Sequence, residues 1–523
     1  MTTAIPDPST PGAPPKTERQ DADPTNTIEL PEASSGNVSI SSHGANASPG
    51  RFVPPFPRRL PAIAALFRTV RQGDGDLLSL LPDHVFKVPA GELGYSRRSI
   101  KLFNDPELVK EIMIDRDGIF PKSDLMVGAL EPLIGDSIFV SDGPKWRRQR
   151  AMIEPAFTRL RLSTAFGSMA SAVTAAEDEL DRFAASGERF SLDLIMSKLA
   201  ADIICRTTFS VSLNAGIARE VFDAFEVFER EVAQVRIWRL IVDPAWKRVP
   251  QKPEVLEACK AIRTRIGELV DRRSGPEKEA FDDIARAVID ARDEETGKGF
   301  TREELIDQLG VFFLAGHETT ASALTWAFYA LAEHGPTMQR VRNEVRTVIG
   351  SGPSGERSPT NVDARELGFG DIKRLEFIKS VFKECLRLYP PITFMPRVAM
   401  KSAKIGKYRL RKGALVMIAP WTVHRHTRYW SDPDAFDPDR FSSDRAKEQT
   451  AGAYIPFGQG PHTCIGAGFA AVESALILAR LASRYDFIID TPEKIRPAAR
   501  LTTRPAEQIM CRVQRATPSA LPS

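Results

Sequence analysis

Most of the chain repeats its apolar residues in the helical period. The segments SMASAVTAAEDELDRFAA from Ser168 and EVFDAFEVFEREVAQV from Glu220 carry apolar residues at helical spacing, which predicts amphipathic helices. A longer pattern opens at Thr301, where T-R-E-E sets a capping box between Thr301 and Glu304, and it stops at Gly335-Pro336. A helix of that length rises about 50 Å, roughly the width of a domain. In its middle, LAGHETTASAL puts Gly316 and the hydroxyls of Thr319 and Thr320 where they weaken the helical ladder, which predicts a kink. Strand-like runs such as ALVMIAP from Ala414 fall in the C-terminal third. The expected fold class is mainly α with a minor β component, arranged around one long central helix.

Residues 51–517 read as a single domain without internal repeats. Residues 1–50 are rich in Pro, Ser, Thr, Ala and Asn and have no apolar period, so a disordered N-terminal tail is expected. Residues 518–523 are expected to be a short C-terminal tail. RFVPPFPRRLP from Arg51 is a stiff lead-in, and SGPSGERSPTNVD, residues 351–363, reads as a surface loop. The chain does not open on a basic region followed by an apolar core, so it has no signal-peptide pattern. Its best apolar runs, LPAIAALF from Leu60 and LGVFFLAG from Leu309, fall far short of the roughly 20 residues of a membrane helix. A soluble, cytoplasmic protein without a membrane anchor is the expectation.

Composition removes alternatives more than it adds any. A net charge of +3 gives no whole-protein reason to expect nucleic acid as a partner. Cys205, Cys259, Cys385, Cys464 and Cys511 are odd in number and contain no CxxC pair. That argues against a disulfide scaffold or a zinc ribbon. Any one of them taken alone is most simply a small buried hydrophobe.

Cys464 stands apart because of its surroundings, FGQGPHTCIGAGFA from Phe457. Gly458, Gly460 and Gly466 allow tight, positive-φ turns that aim backbone amides at the sulfur. A helix beginning just after the cysteine would favour thiolate over thiol. A thiolate held in this way suits an axial position on haem iron.

The pattern F-G-x-G-x-(H or R)-x-C-x-G, filled by Phe457, Gly458, Gly460, His462, Cys464 and Gly466, resembles the haem-binding loop of cytochromes P-450. Further segments are similar to that family's signatures and follow in its order. Trp146 to Arg150 resembles the WxxxR helix, and AGHETT from Ala315 the oxygen-binding segment. Glu384 and Arg387 form ExxR, and DPDAFDPDRF supplies Arg440. The resemblance covers roughly Arg51 to Gln514. It implies a cytochrome P-450 fold with the long helix over haem b (iron-protoporphyrin IX), and Cys464 as the iron ligand.

The same resemblance implies roles for individual residues. Trp146, Arg150, Arg397 and His462 would bind the haem propionates, since buried carboxylates need charge-assisted donors. His462 stands where the family more often has Arg. Glu384, Arg387 and Arg440 would form a buried structural triad. Glu318 and Thr319 would be the acid–alcohol pair that relays protons to the distal oxygen of O2, with Gly316 leaving room for O2. The loop around Ser123–Leu133, Phe312, Ala315 and Pro391–Phe394 would line the substrate pocket, and Thr502 and Thr503 would close it. These residues are apolar or weakly polar, which points to a lipophilic small molecule.

The implied reaction is monooxygenation: one oxygen atom enters the substrate and the other leaves as water. A peroxide-driven peroxygenase or isomerase, or a haem sensor without enzymatic activity, are the alternatives; retention of Glu318–Thr319 favours the monooxygenase. The stretch after Cys464 is too short for a reductase domain, so a separate ferredoxin or flavodoxin with its NAD(P)H reductase is expected to supply electrons. Lys145, Arg147 and Arg148 could steer such an acidic partner.

Overall fold

Thr301 caps the long helix through both bonds of the box. Its hydroxyl accepts from the Glu304 amide at 3.2 Å, and the Glu304 carboxylate accepts from the Thr301 amide at 2.8 Å. In this computed structural model, which describes residues 51–65, 76–92, 99–115, 117–232, 251–276, 278–350 and 366–516, that helix spans Arg302–Glu333. The expected terminal tails and the 351–363 loop lie outside the described residues. Gly335 and Pro336 do not begin a loop; they open the next helix, where proline costs nothing because first-turn amides have no intrahelical partner. The helix also runs unbroken through LAGHETT, where a kink was expected. Thr319 does donate back to the Ala315 carbonyl at 2.7 Å, but Thr320 turns outward to Glu473 at 3.4 Å.

In chain order the helices are α1 (Pro106–Ile114), α2 (Asp124–Ile134), α3 (Gly143–Ile153), α4 (Arg159–Ser186), α5 (Leu192–Phe209), α6 (Gly216–Val232), α7 (Pro253–Ser274), α8 (Ile284–Asp290), α9 (Arg302–Glu333), α10 (Gly335–Gly350), α11 (Glu376–Leu388), α12 (Pro420–Val423) and α13 (Ala467–Arg484). The strands are β1 (Ala90–Glu92), β2 (Ile100–Phe103), β3 (Phe190–Ser191), β4 (Met395–Val398), β5 (Ala403–Ile405), β6 (Tyr408–Leu410), β7 (Leu415–Ile418), β8 (Tyr485–Ile489), β9 (Pro497–Ala499), β10 (Thr503–Pro505) and β11 (Met510–Arg515). The largest sheet has the order β1-β2-β7-β4, in which β2 and β7 run parallel and the other neighbours antiparallel. A second sheet, β3-β11-β8, is antiparallel throughout.

α9 is buried on nearly every side from Leu305 to Leu331, packed by α2, α5, α7, α11, α13 and β8. A helix apolar all round belongs in a core, and its few polar residues are tied to neighbouring elements. Asp307 takes Arg263 of α7 at 2.7 Å, Gln308 accepts from the Ile138 amide at 3.0 Å, and Ser322 and Trp326 both donate to the Thr503 carbonyl. Gly316 allows the closest approach to α5, because a Cβ there would lie 2.6 Å from Ile204 Cδ1. The place of its missing side chain is therefore filled by Ile204 of α5.

The Glu384–Arg387 pair is fully buried and bidentate, at 2.7 and 2.8 Å. Arg387 also donates to the carbonyls of His424, Pro433 and Ala435, and Arg440 lies 3.4 Å from Glu384 while donating to the Asp432 carbonyl. Removing one partner of such a group strands a buried charge at a cost of about 3–5 kcal/mol. Glu384→Ala is therefore expected to yield little folded, haem-loaded protein; a stable holoprotein with a normal spectrum but no turnover would contradict the structural role.

Two fully buried histidines contribute to the loss of stability in acid. Burial first, and then the charges of Arg387 and Arg425, push His424 down to about 3; burial and Arg504 push His317 down to about 4. Both fall below the unfolded value near 6.5, so the unfolded chain takes up protons first. Stability is complete above pH 6.5 and falls as pH drops towards 4, by about 1.4 kcal/mol per pH unit for each histidine. Melting temperatures across that window should fall with acidification, and His424→Gln should flatten the slope. An unchanged slope in that variant would rule out His424 as a source.

Candidate active site

The Cys464 loop is held from both ends. The Cys464 amide donates to the Phe457 carbonyl at 2.9 Å, and the Thr463 amide to the Gly460 carbonyl at 3.1 Å. Gly458 and Gly460 have φ of 79° and 75°, a region in which a side chain is strained. A Cβ on Gly460 would also meet the Met113 carbonyl oxygen at 2.9 Å. Gly466 departs from expectation: its φ is −84°, and it serves as the cap of α13. Its amide is hydrogen-bonded to the Cys464 sulfur.

Among the five cysteines only Cys464 is accessible, although protein atoms crowd it on most sides. Burial pushes its thiol up, and the Gly466 amide and the Arg150 charge oppose that rise. The helix terminus and amide thus soften the cost of the anion without removing it, and a bound metal cation would complete the deprotonation.

Basic side chains converge beside this loop. Trp146 and Arg150 project from α3: the Trp146 ring lies 4.0 Å from that of His462, and Arg150 donates to the Thr463 carbonyl at 2.7 Å. Arg397 of β4 is buried, its guanidinium pushed below the usual range by desolvation, and the hydrogen bond it makes among the described residues is to Met113 Sδ at 3.9 Å. His462 is pushed down to about 3 by burial and then by Lys122, Arg397 and Arg150, and its Nδ1 has no hydrogen-bond partner.

Lys122 was not anticipated from sequence. It bridges backbone-to-backbone with Arg397, donates to the Ser141 carbonyl at 2.6 Å, and is lowered to about 8 by burial first. Nothing in its local sequence, PKSD, signals burial. Long-range pairing puts it there.

On α9, Ala315 is exposed and Gly316 and Thr319 are half-buried within an otherwise buried stretch, so one strip of the helix faces open space. Glu318 is not on that strip. It is buried, accepts hydrogen bonds from Thr502 and Arg504, and forms an ion pair with Arg504. Acid and alcohol are adjacent in sequence, but no hydrogen bond joins them. A second acid, Glu473 of α13, is buried with only the Thr320 hydroxyl beside it, and burial pushes its carboxyl well above the usual range.

Several expected pocket residues sit differently. Ser123–Leu133 is not a loop: Ser123 caps α2, accepting from the Leu125 amide at 3.3 Å. Thr503 is wholly buried and spends its groups on Pro390, Thr393, Ser322 and Trp326, so it is a core tie and not a pocket wall. Phe312 packs edge-on against Phe157. Of the basic trio on α3, Lys145 pairs with Asp136 and Arg148 with Glu304 and Asp293; Arg147 alone is exposed with no hydrogen bond or ion pair among the described residues.

Comparison with known proteins places the chain in a family. The chain is 31% identical over 420 residues to cyclooctat-9-en-7-ol 5-monooxygenase of Streptomyces melanosporofaciens, covering 78% of this chain and 84% of the relative. It is 30% identical over 414 residues to a cytokinin hydroxylase of Arabidopsis thaliana, covering 77% and 76%. The fold matches a crystal structure of a mutant cytochrome P450DA heme domain with a TM-score of 0.71 and 24% identity, over 89% of this chain and 98% of that one. The cytochrome P450 family model matches residues 54–512. The chain therefore belongs to the cytochrome P450 family and is a monooxygenase of that family, with haem b as cofactor and O2 as co-substrate.

Proposed function

We propose that the enzyme hydroxylates, or similarly oxidises, a lipophilic small molecule, using electrons from a separate ferredoxin or flavodoxin and its reductase. The observation that carries the site assignment is the pairing of an accessible cysteine at a helix N-terminus with Arg397, a buried guanidinium that forms no ion pair among the described residues. Cys464 would hold the iron. Arg397, with only a thioether sulfur on its guanidinium, and His462, with an orphaned Nδ1, fit the two carboxylates of haem b, with Arg150, Lys122 and Trp146 around them. Phe457 and Gly458 would shape the loop under the ring. When bound, the haem supplies the iron at which O2 is reduced and one oxygen atom is transferred.

The remaining chemistry falls to the chain. Thr319, on the open strip of α9, would order water near the oxygen, and Glu318 would supply protons to it. The half-buried Ile392 and Phe394, with Ala315 on α9, would offer the substrate an apolar wall. The relatives' names refer to small organic substrates, which favours that class here. No helix among the described residues is long and apolar enough to cross a membrane. Arg147 remains as the basic contact for an electron donor.

Reduced, CO-bound protein should show the red-shifted Soret band of a thiolate complex, and Cys464→His should abolish it. Survival of that band in Cys464→Ala, with its loss in another cysteine variant, would overturn the ligand assignment. Binding spectra against fatty acids, terpenoids, steroids and aromatics should identify the substrate. With that substrate, Thr319→Ala should raise the peroxide released per NAD(P)H consumed with little change in binding. Glu318→Gln should slow turnover by about 100-fold and alter the solvent isotope effect. Unchanged coupling in both variants would send the protons by another route and favour the peroxygenase reading.

A further inference from the structure

Glu318 sits in a cluster drawn from four elements. Arg504 of β10 reaches it through Nε and Nη2, and the same Nη2 lies 2.8 Å from Oε2 of Glu229 on α6. Thr502 donates its hydroxyl to Glu318. His317, next in the chain, has Nδ1 3.7 Å from the other Glu229 oxygen and Nε2 2.7 Å from the Ser197 hydroxyl of α5. Side-chain exposure is 3% for Glu318 and 10% for Glu229, against 32% for Arg504. The three acid and imidazole groups lie close enough to suggest a cation site, but the guanidinium already fills that role.

We infer that Arg504 is a positioning residue for the distal acid, and that Glu229 is its alternate counter-ion, so that Glu318 has two stations. This rests on the proton-relay reading proposed above. In the first station Glu318 is held towards β10, out of hydrogen-bond contact with Thr319. In the second it would leave Arg504 and face the open strip of α9. Leaving a cation unpaired in a buried site would normally forbid the move. Glu229 removes that obstacle, because it already shares Arg504 and keeps the guanidinium paired when Glu318 departs.

The charge balance supports the assignment. Two carboxylates share one guanidinium and His317 is neutral, so the cluster carries a formal charge of −1 that a single proton would cancel. Other charges near α9 are spent elsewhere: Lys198 on Glu179, Asp202 on Arg206, Arg263 on Asp307 and Glu303, and Glu384 on Arg387. Glu473 accepts from the Thr320 hydroxyl, and burial pushes its carboxyl well above the usual range. Among the described residues, the charges that reach Glu318 are thus Arg504 directly and Glu229 through it, with opposite signs.

The test is an infrared pH titration of the haem-loaded protein, following the protonated carboxyl band that Glu318→Gln removes. Arg504→Gln takes away the stabilising cation and should raise the midpoint by about one pH unit or more; Glu229→Gln takes away the like charge and should lower it by a similar amount. Arg504→Lys should bring the midpoint back towards wild type. The second readout is the division of reduced O2 between peroxide and water, with a surrogate ferredoxin, its reductase and NADPH. Glu229→Gln leaves Arg504 wholly to Glu318 and should increase peroxide several-fold. Shifts that are absent or of one sign, while Glu318→Gln still raises peroxide, overturn the bridge alone. An unchanged peroxide fraction in Glu318→Gln overturns the relay, and the two-station role with it.

Discussion

Every donor of the Arg387 guanidinium is in use: two hold Glu384 and three hold the carbonyls of His424, Pro433 and Ala435. The Cys464 loop depends on that buried hub. His424, whose carbonyl Arg387 grips, accepts the Ile455 amide on its ring at 2.8 Å. The Ile455 carbonyl then takes the Gly458 amide, and Phe457 takes the amide of Cys464. A second tie runs from the Tyr454 hydroxyl to the Lys383 carbonyl. A charge pair that is costly to bury is thus linked, bond by bond, to the position of one sulfur, and each member must be satisfied for the rest to hold.

The two sides of the site handle charge differently. Beside Cys464, Lys122, Arg150 and Arg397 are gathered with His462; desolvation depresses Lys122, Arg397 and His462, and repulsion from neighbouring cations adds to it at Lys122 and His462, while Asp142 opposes it at Lys122 and Arg397. Such a cluster favours further anionic partners, and haem b carries two carboxylates. On the α9 side the balance is reversed: Glu229 and Glu318 share Arg504, and burial pushes the Glu473 carboxyl well above the usual range. One side gathers positive charge and the other gathers carboxylates around a single guanidinium.

α9 joins the two sides because it can be apolar all round and still carry polar groups. Asp307 and Gln308 bond to Arg263 and Ile138, and Ser322 and Trp326 both to the Thr503 carbonyl, which fixes the helix in rotation and depth. Gly316 lets α5 approach closely through Ile204. With the helix set in this way, Ala315 and Thr319 share the face left open.

Much of this was legible in the chain. The capping box at Thr301, the strongly periodic helices, the glycine turns before Cys464 and the Glu384–Arg387 spacing are local, because each depends on residues a few positions apart. Function class was legible for the same reason, since the ligand loop is one contiguous segment. Lys122, Arg504 and Glu229 were not. Their meaning comes from partners far away in sequence, which only the packing of α6, β4 and β10 brings near. Gly466, Thr503 and the helix at Asp124–Ile134 were misread for a related reason. A glycine or threonine does not declare whether it serves a turn, a pocket or a close contact until its neighbour across the fold is known. Local spacing determined which chemistry this protein carries, and long-range burial decided which charges control it.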